Sequence, residues 1–434
     1  MQAKHSSLQH FSSCGILVTI MTLSEELAWR GLIKDKTFAD ASWLDTPRTF
    51  YLGADCSSDS LTIGNLAIYM VARRLMEAGW KTVLLVGGAT SLIGDPGGKD
   101  EERQLKSRDE IARNVAGVTA QVQRLFAGKT FELVDNYDWF KDVGYLEFLR
   151  DVGKHFSMTE LVQRDFIATS MGEGGSGISY AEFSYSLIQG YDYWHLHKTR
   201  GVELQIGGSD QWGNMLSGAP LIRKKEGKEV HAFSMPLVIN KATGKKFGKS
   251  EEGAVWLDAA RTTPTQFYQF WITCDDAGVE DYLKAYTFLS KDEIETISAK
   301  HQENPKERHA QTRLAEEVTK IVHGEEDMQL AETVTGYLTG KVALQDATEV
   351  SLAVMRQEIA STKAAAGDDI LSLLVETGLA ASKSDARRLV EGNAIAINGQ
   401  KVQREQLEET DFQGGRLLVR KGKAFKDSAF VERV

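Results

Sequence analysis

Four short apolar runs, each followed by a longer segment, constrain this chain more than any other feature. RTFYLGAD, KTVLLVGGA, FELVDN and VELQIGG read as strands, and the first three show little polar alternation. A strand that is apolar on both sides must be covered on both faces, as in a parallel sheet packed between helices. Segments such as GNLAIYMVARRLMEAGW and VAGVTAQVQRLFA have the periodicity of those covering helices. The succession predicts a doubly wound, Rossmann-type α/β domain over about residues 21–250. In such sheets ligands lie beyond the carboxyl ends of the strands, so each candidate motif can be judged by that position.

Beyond about residue 264 strands largely stop. TPTQFYQFWIT, VEDYLKAYTFLS, KDEIETISAKHQ and AQTRLAEEVTKIVHG read as successive helices, which predicts a helical domain over 251–345. Residues 346–367 are poorer in apolar groups, contain STKAAAGDD, and read as a linker. A small α+β unit is expected over 368–434, with two helices followed by the strands AIAING and RLLVRKG. Residues 1–20 carry one Lys, no Arg and no acidic group, so they make neither a good signal peptide nor a presequence and are expected to be a disordered extension.

Composition narrows the class further. The three cysteines, Cys14, Cys56 and Cys274, lie far apart without zinc spacing, which suits a reducing, cytoplasmic setting and no structural metal. The run GILVTIM is far shorter than the roughly 18–20 residues of a membrane span. A net charge of −10 disfavours indiscriminate nucleic-acid binding but leaves room for a local basic patch.

The first strand ends Tyr51-Leu52-Gly53-Ala54-Asp55 and runs through CSSDS into LTIGNL. A helix N-terminus offers unpaired N–H groups and the positive end of a dipole, a natural seat for phosphate, and Gly53 and Gly64 would admit a ligand close to the backbone. The alternative is a plain connection capped by Ser58 or Asp59. After the second strand, GGATSLIGDPGGKDEER fails as a P-loop: counting back from Gly98-Lys99 puts Ile93 where the first Gly belongs, and Asp100 follows the lysine. Nor does this stretch contain G-x-G-x-x-G. Asp95 can hold an ammonium group, while Lys99 and Arg103 fit either a cationic loop or a solvated charge run.

In AEFSYSLIQGYDYW, Tyr185, Gln189 and Asp192 stand at i, i+4 and i+7, one helical face bearing a phenol, an amide and a carboxylate, with Gly190 removing bulk beside them. QIGGSDQWGN places Gly208, Asp210 and Gln211 at a strand end, where a carboxylate can grip a ribose diol; a plain turn competes. In GKKFGKSEEGAVW, Lys246 and Lys249 sit on a glycine loop suited to charge developing on a phosphate chain. Basic residues cluster at Arg223 and Lys224 within RKKEGK, at Lys383, Arg387 and Arg388, and at Arg420, Lys421 and Lys423. Each cluster can be a phosphate patch or a solvated surface.

Taken in order, LVGGATSLIGDP, LQIGGSDQWGN and KFGKSEEGAVWLD make the chain resemble the bacterial-type tyrosyl-tRNA synthetases, a class I aminoacyl-tRNA synthetase family, from Met21 to near its end. The resemblance implies a nucleotide-binding domain, a helical domain and an S4-like RNA-binding domain. It implies that Tyr51 and Asp192 meet a tyrosine phenol, that Asp95, Tyr185 and Gln189 hold its ammonium, and that Gln211 holds its carboxyl end. Asp210 would bind the ATP ribose, with Gly53, Asp55, Gly64, Gly208 and Ser250 lining the nucleotide. Lys99, Arg103, Lys246 and Lys249 would meet the triphosphate as pyrophosphate departs, and Ser57, Thr62 and Asn65 would join the catalytic set, the last two donating to phosphate or ribose. Arg223, Lys224 and the C-terminal basic residues would contact tRNA(Tyr). A homodimer, Mg²⁺ carried with ATP, no dedicated metal site and no membrane are also implied.

One departure stands out. The family's His-Ile-Gly-His is Thr62-Ile63-Gly64-Asn65 here, and its usual Pro and Thr are Cys56 and Ser57. Asn and Thr both carry donors, as imidazole does. The substitutions therefore suit a slowed enzyme; the rival is a non-catalytic RNA-binding or regulatory paralogue that kept the fold.

Overall fold

The computed structural model describes residues 21–95, 106–172, 177–250, 253–422 and 424–434. The extension 1–20 and the candidate site residues Lys99, Arg103 and Lys423 lie outside the described residues. The chain divides into two compact units: one reaches to Gly248 and includes Lys284–Phe288, and the other comprises Lys249–Leu283 and Leu289–Val434.

The first unit is built on the expected parallel sheet. Its strands are β1 (Thr49–Asp55), β2 (Lys81–Gly87), β3 (Glu132–Asp135), β4 (Leu204–Gly208) and β5 (His231–Met235), in the order β3-β2-β1-β4-β5. All four pairings are parallel. Strand β2 is buried from Thr82 to Gly87, which is why its sequence shows no alternation. The fifth strand was not anticipated, because HAFSM mixes His and Ser and has no β-branched residue. The order reverses between β1 and β4, so their carboxyl ends open the crevice where such folds bind ligands.

Helices fill the crossovers. Ile63–Glu77 follows β1, and Arg108–Leu125 lies between β2 and β3. Tyr180–Arg200 lies between β3 and β4, and Gly218–Glu226 between β4 and β5. Ser179 starts the third of these with a capping box to Glu182, in which each side chain serves the other residue's backbone N–H. Gly190, in the middle of this helix, is required for packing: a Cβ there would lie 2.9 Å from Ser217 Cβ and 3.1 Å from Phe156 Cζ. The bulk it removes therefore makes room for these neighbours.

In the second unit, Pro264–Ile272, Lys291–Glu303 and His309–His323 are expected helices, and Glu325–Thr339 is a further one that the sequence reading did not name. Residues 346–367 depart from the expected linker. They hold a helix, Glu349–Glu358, and a strand, Ala360–Ala364, that pairs in parallel with Ser428–Arg433. This strand sits at one edge of a five-stranded sheet whose other strands are antiparallel. The sheet is covered on both faces. Leu417 and Val419 pack with Ile370, Leu374, Ala386 and Val390, whereas Leu418 and Phe430 pack with Val334, Leu338, Leu352 and Met355. Polar exposed residues in 360–363 hid the strand, since an edge strand needs few apolar groups to pair.

Candidate active site

A cavity of about 380 Å³ opens at the carboxyl ends of β1 and β4. Its walls combine Tyr51 and Asp55 of β1, the turn with Ser57, Thr62 and Asn65, and Asp95 after β2. Tyr185, Gln189 and Asp192 line it from one face of the helix Tyr180–Arg200, and Gly208, Asp210 and Gln211 line it after β4. Lys246 and Phe247 complete it. Thus the carboxyl-end rule brings together sequence pieces almost 200 residues apart.

One end of the cavity is deeply buried. Asp192 is 2% exposed; its Oδ1 accepts from Trp139 Nε1 at 2.9 Å and its Oδ2 from Asn136 Nδ2 at 3.1 Å. Burial pushes its carboxyl up to about 8, against the pull of these two donors. The Tyr51 phenol stands beside it, 2% exposed, with no partner for its Oη. Burial first and Asp192 second raise its pKa. Tyr185 donates to Asp55 Oδ2 at 2.8 Å, and Thr90 donates to Asp55 Oδ1 at 2.7 Å. Gln189 Oε1 and Gln205 Oε1 are buried without partners. A buried unpaired polar atom is costly, and a polar ligand entering the cavity would relieve that cost.

Asp95 is tied to the β4 side, accepting from Gln211 Nε2 at 2.5 Å and Asn214 Nδ2 at 3.4 Å. These donors orient a carboxylate at the cavity wall. Asn136, Trp139, Thr90 and Gln205 escaped sequence reading. The first two follow β3 directly in DNYDWF, so applying the carboxyl-end rule to the third strand would have found them.

The other end is open. Lys246 Nζ lies 3.6 Å from Asp210 Oδ2, with side chains 63% and 44% exposed. Lys246 belongs to a hairpin in which Phe247 N donates to Val238 O at 2.9 Å and Asn240 N to Lys245 O at 2.9 Å. The buried Phe247 ring anchors it against Tyr286. Gly248 has φ +100°, and a Cβ there would sit 2.7 Å from Ile63 Cγ1. Only glycine lets the hairpin end lie on the start of the helix Ile63–Glu77.

At that helix start, Asn65 Oδ1 accepts from Thr62 N at 3.0 Å and from Thr62 Oγ1 at 2.9 Å. Cys56 is fully buried; its N–H donates to Ser91 Oγ at 2.7 Å and its carbonyl accepts from Asn114 at 2.9 Å. Burial pushes its thiol up to about 12, so it is an inert packing residue. Ser57 is exposed at the cavity rim. Lys249 and Ser250 form, by their backbone, a short antiparallel pair with Gly253–Ala254 in the second unit.

The basic clusters are locally occupied to different degrees. Arg223 is exposed, while Lys224 donates to the His155 carbonyl at 2.6 Å. In the second unit Lys383, Arg387 and Arg388 are exposed and pair with Asp369, Glu405 and Asp385. Arg420 and Lys421 are half-buried and bond the carbonyls of Leu338 and Leu379. These two cations stitch the fold as well as carrying charge.

Comparisons with known proteins bear on this geometry. The family model "tRNA synthetases class I (W and Y)" matches residues 45–338, and the "Tyrosine--tRNA ligase SYY-like C-terminal domain" matches 351–425. The chain is 42% identical over 416 residues to the tyrosine--tRNA ligase of Anaeromyxobacter dehalogenans, covering 93% of this chain and 98% of that one. It is 41% identical over 411 residues to the tyrosine--tRNA ligase of Lactobacillus johnsonii, covering 92% and 96%. The crystal structure of a C-terminally truncated mitochondrial tyrosyl-tRNA synthetase of Aspergillus nidulans superposes with a TM-score of 0.65 at 29% identity, covering 73% of this chain and 94% of that one.

Proposed function

Because the chain belongs to the class I tRNA synthetases of the tryptophan and tyrosine group, we propose that it is a tyrosine–tRNA ligase. It activates L-tyrosine with ATP and transfers the tyrosyl group to the 3′ end of tRNA(Tyr). In the first step a carboxylate oxygen of tyrosine attacks the α-phosphorus, the bond to the bridging oxygen breaks, and pyrophosphate leaves with that electron pair. In the second step a terminal ribose hydroxyl attacks the tyrosyl carbonyl, and AMP departs.

The observation that carries the choice of tyrosine is the buried pair at the deep end. Tyr51 Oη has no partner and Asp192 is held by two donors, so a substrate phenol can donate to one and accept from the other. A tryptophan side chain offers only a donor there and would leave the Tyr51 hydroxyl unserved. In this reading Asp95, Tyr185 and Gln189 receive the ammonium group and Gln211 the carboxyl end. Asp210 takes the ribose, with Gly53, Asp55, Gly64, Gly208 and Ser250 around the nucleotide. Lys99, Arg103, Lys246 and Lys249 stabilise the pyrophosphate as it leaves, in electrostatic support that acts most strongly when charge develops. Mg²⁺ enters on the phosphate oxygens, as suits a hard cation that keeps few protein ligands.

tRNA is placed on Arg223 and Lys224 of the first unit and on Lys383, Arg387, Arg388 and the strand cations of the second. A homodimer is supported by exposed apolar side chains of one segment of the first unit: Tyr145, Leu146, Met158, Met171 and Tyr180 are each at least 58% exposed. A cytoplasmic setting fits the site of protein synthesis, and among the described residues no helix is long and apolar enough to cross a membrane.

Tyrosine-dependent exchange of pyrophosphate into ATP by the purified chain is the expected result. No exchange above background would support the second reading, a non-catalytic paralogue, which Thr62 and Asn65 favour.

A further inference from the structure

We propose that Thr62 acts through Asn65: it fixes which way the Asn65 amide faces and does not itself meet the ATP phosphates. The assignment rests on hydrogen-bond chemistry. A backbone N–H can only donate, so the Asn65 atom 3.0 Å from Thr62 N must be the carbonyl oxygen, Oδ1. The Thr62 hydroxyl lies 2.9 Å from the same oxygen and spends its one proton there. Oδ1 is then doubly served, and the Nδ2 amide, with two hydrogens, is the donor left to a cavity that both residues line. The turn therefore carries one oriented side-chain donor at the two positions 62 and 65. This differs from a pair of independent donors, each reaching its own oxygen. The inference rests on the proposed ligase reading, since it concerns the phosphate end of that site.

A double-mutant cycle tests it, with kcat and KM for ATP and tyrosine measured by pyrophosphate exchange on the full chain. Thr62→Val is expected to lower kcat roughly three- to tenfold, the loss of one neutral hydrogen bond. The KM for tyrosine should stay unchanged, and Thr62→Ser, which keeps the hydroxyl, should restore the rate. Asn65→Ala should lower kcat further. In the Asn65→Ala background Thr62→Val should change the rate by less than about twofold, because nothing remains to orient. If the two losses multiply, Thr62 makes its own contact with the nucleotide and the inference falls. Absence of any rescue by Thr62→Ser overturns it as well. Should Thr62→Val not fold, Thr62→Ala carries the same cycle. A wild-type chain without tyrosine-dependent exchange would sink the ligase reading itself, an outcome separate from multiplicative losses in an active enzyme.

Discussion

The deep end of the cavity and its outer end solve different problems. At the deep end Asp192 and Tyr51 are 2% exposed, and Asn136 and Trp139 fix the carboxylate from behind. At the outer end Lys246 is 63% exposed, Asp210 is 44% exposed, and the polar contact between them spans 3.6 Å. Recognition of one hydroxyl needs groups that cannot move or exchange partners, because a misplaced buried polar atom is costly. Stabilising a spread-out phosphate charge needs donors near the right place, and several residue types can supply them. The outer end can therefore be built from several kinds of donor, whereas the deep end cannot.

The contrast can be broken most forcefully at Asp192. An amide there can accept through one atom only, and its NH₂ would face Trp139 Nε1–H or Asn136 Nδ2, donor against donor. Asp192→Asn is expected to lower kcat/KM for tyrosine by about a hundredfold or more, on the order of 3 kcal/mol, and to shrink discrimination against phenylalanine by a similar factor. Unchanged discrimination in competition assays would break the comparison. The same variant has a pH signature. The folded Asp192 pKa, about 8, is raised above the carboxylate value of 3.8, so its contribution to stability is present at low pH and is lost as pH rises toward 8. Relative to Asp192→Asn, wild-type unfolding free energy should therefore decline between pH 5 and 8, by at most roughly 1.4 kcal/mol per pH unit. Parallel denaturation curves at all pH values would show that burial does not raise the Asp192 carboxyl.

Lys246 sharpens the same contrast at the outer end. Lys246→Ala should reduce the exchange kcat about ten- to a hundredfold, with the KM for tyrosine and thermal stability nearly unchanged, because its partner is a half-exposed carboxylate. A raised tyrosine KM would mean the two ends are not separable. The smallest effect is expected in the second unit. Replacing the exposed Arg387 and Arg388 together by Glu should slow tRNA charging several-fold at physiological salt and leave tyrosine activation intact. Lys421 is less suited to this test, because it also bonds the Leu379 carbonyl. Equal loss of both activities would contradict a separate RNA role for this pair.

How much was legible beforehand varied with the kind of information each residue carries. Four of the five parallel strands followed from apolar runs, whereas HAFSM did not, because its pattern carries little β signal. The stripe Tyr185, Gln189 and Asp192 was readable from helical spacing alone, and the structure places all three on one cavity. Asn136 and Trp139 were readable only by their place just after β3; that both hold Asp192, 56 and 53 positions away, was not. Residues 349–364 were misread as a linker because their burial is provided by distant partners. Leu352 and Met355 are covered by Leu418 and Phe430.

By itself, then, the sequence determined the parallel architecture, the order of the motifs, and which residue types stand at the strand ends. Those features depend on local periodicity and on the chemistry of single side chains. Tertiary structure alone decided that Thr62 and Asn65 bond each other, that two distant donors hold Asp192, and that Arg420 and Lys421 bond backbone carbonyls. A polar side chain's role depends on which partners come within about 3 Å of it, and that is settled only when the chain has packed.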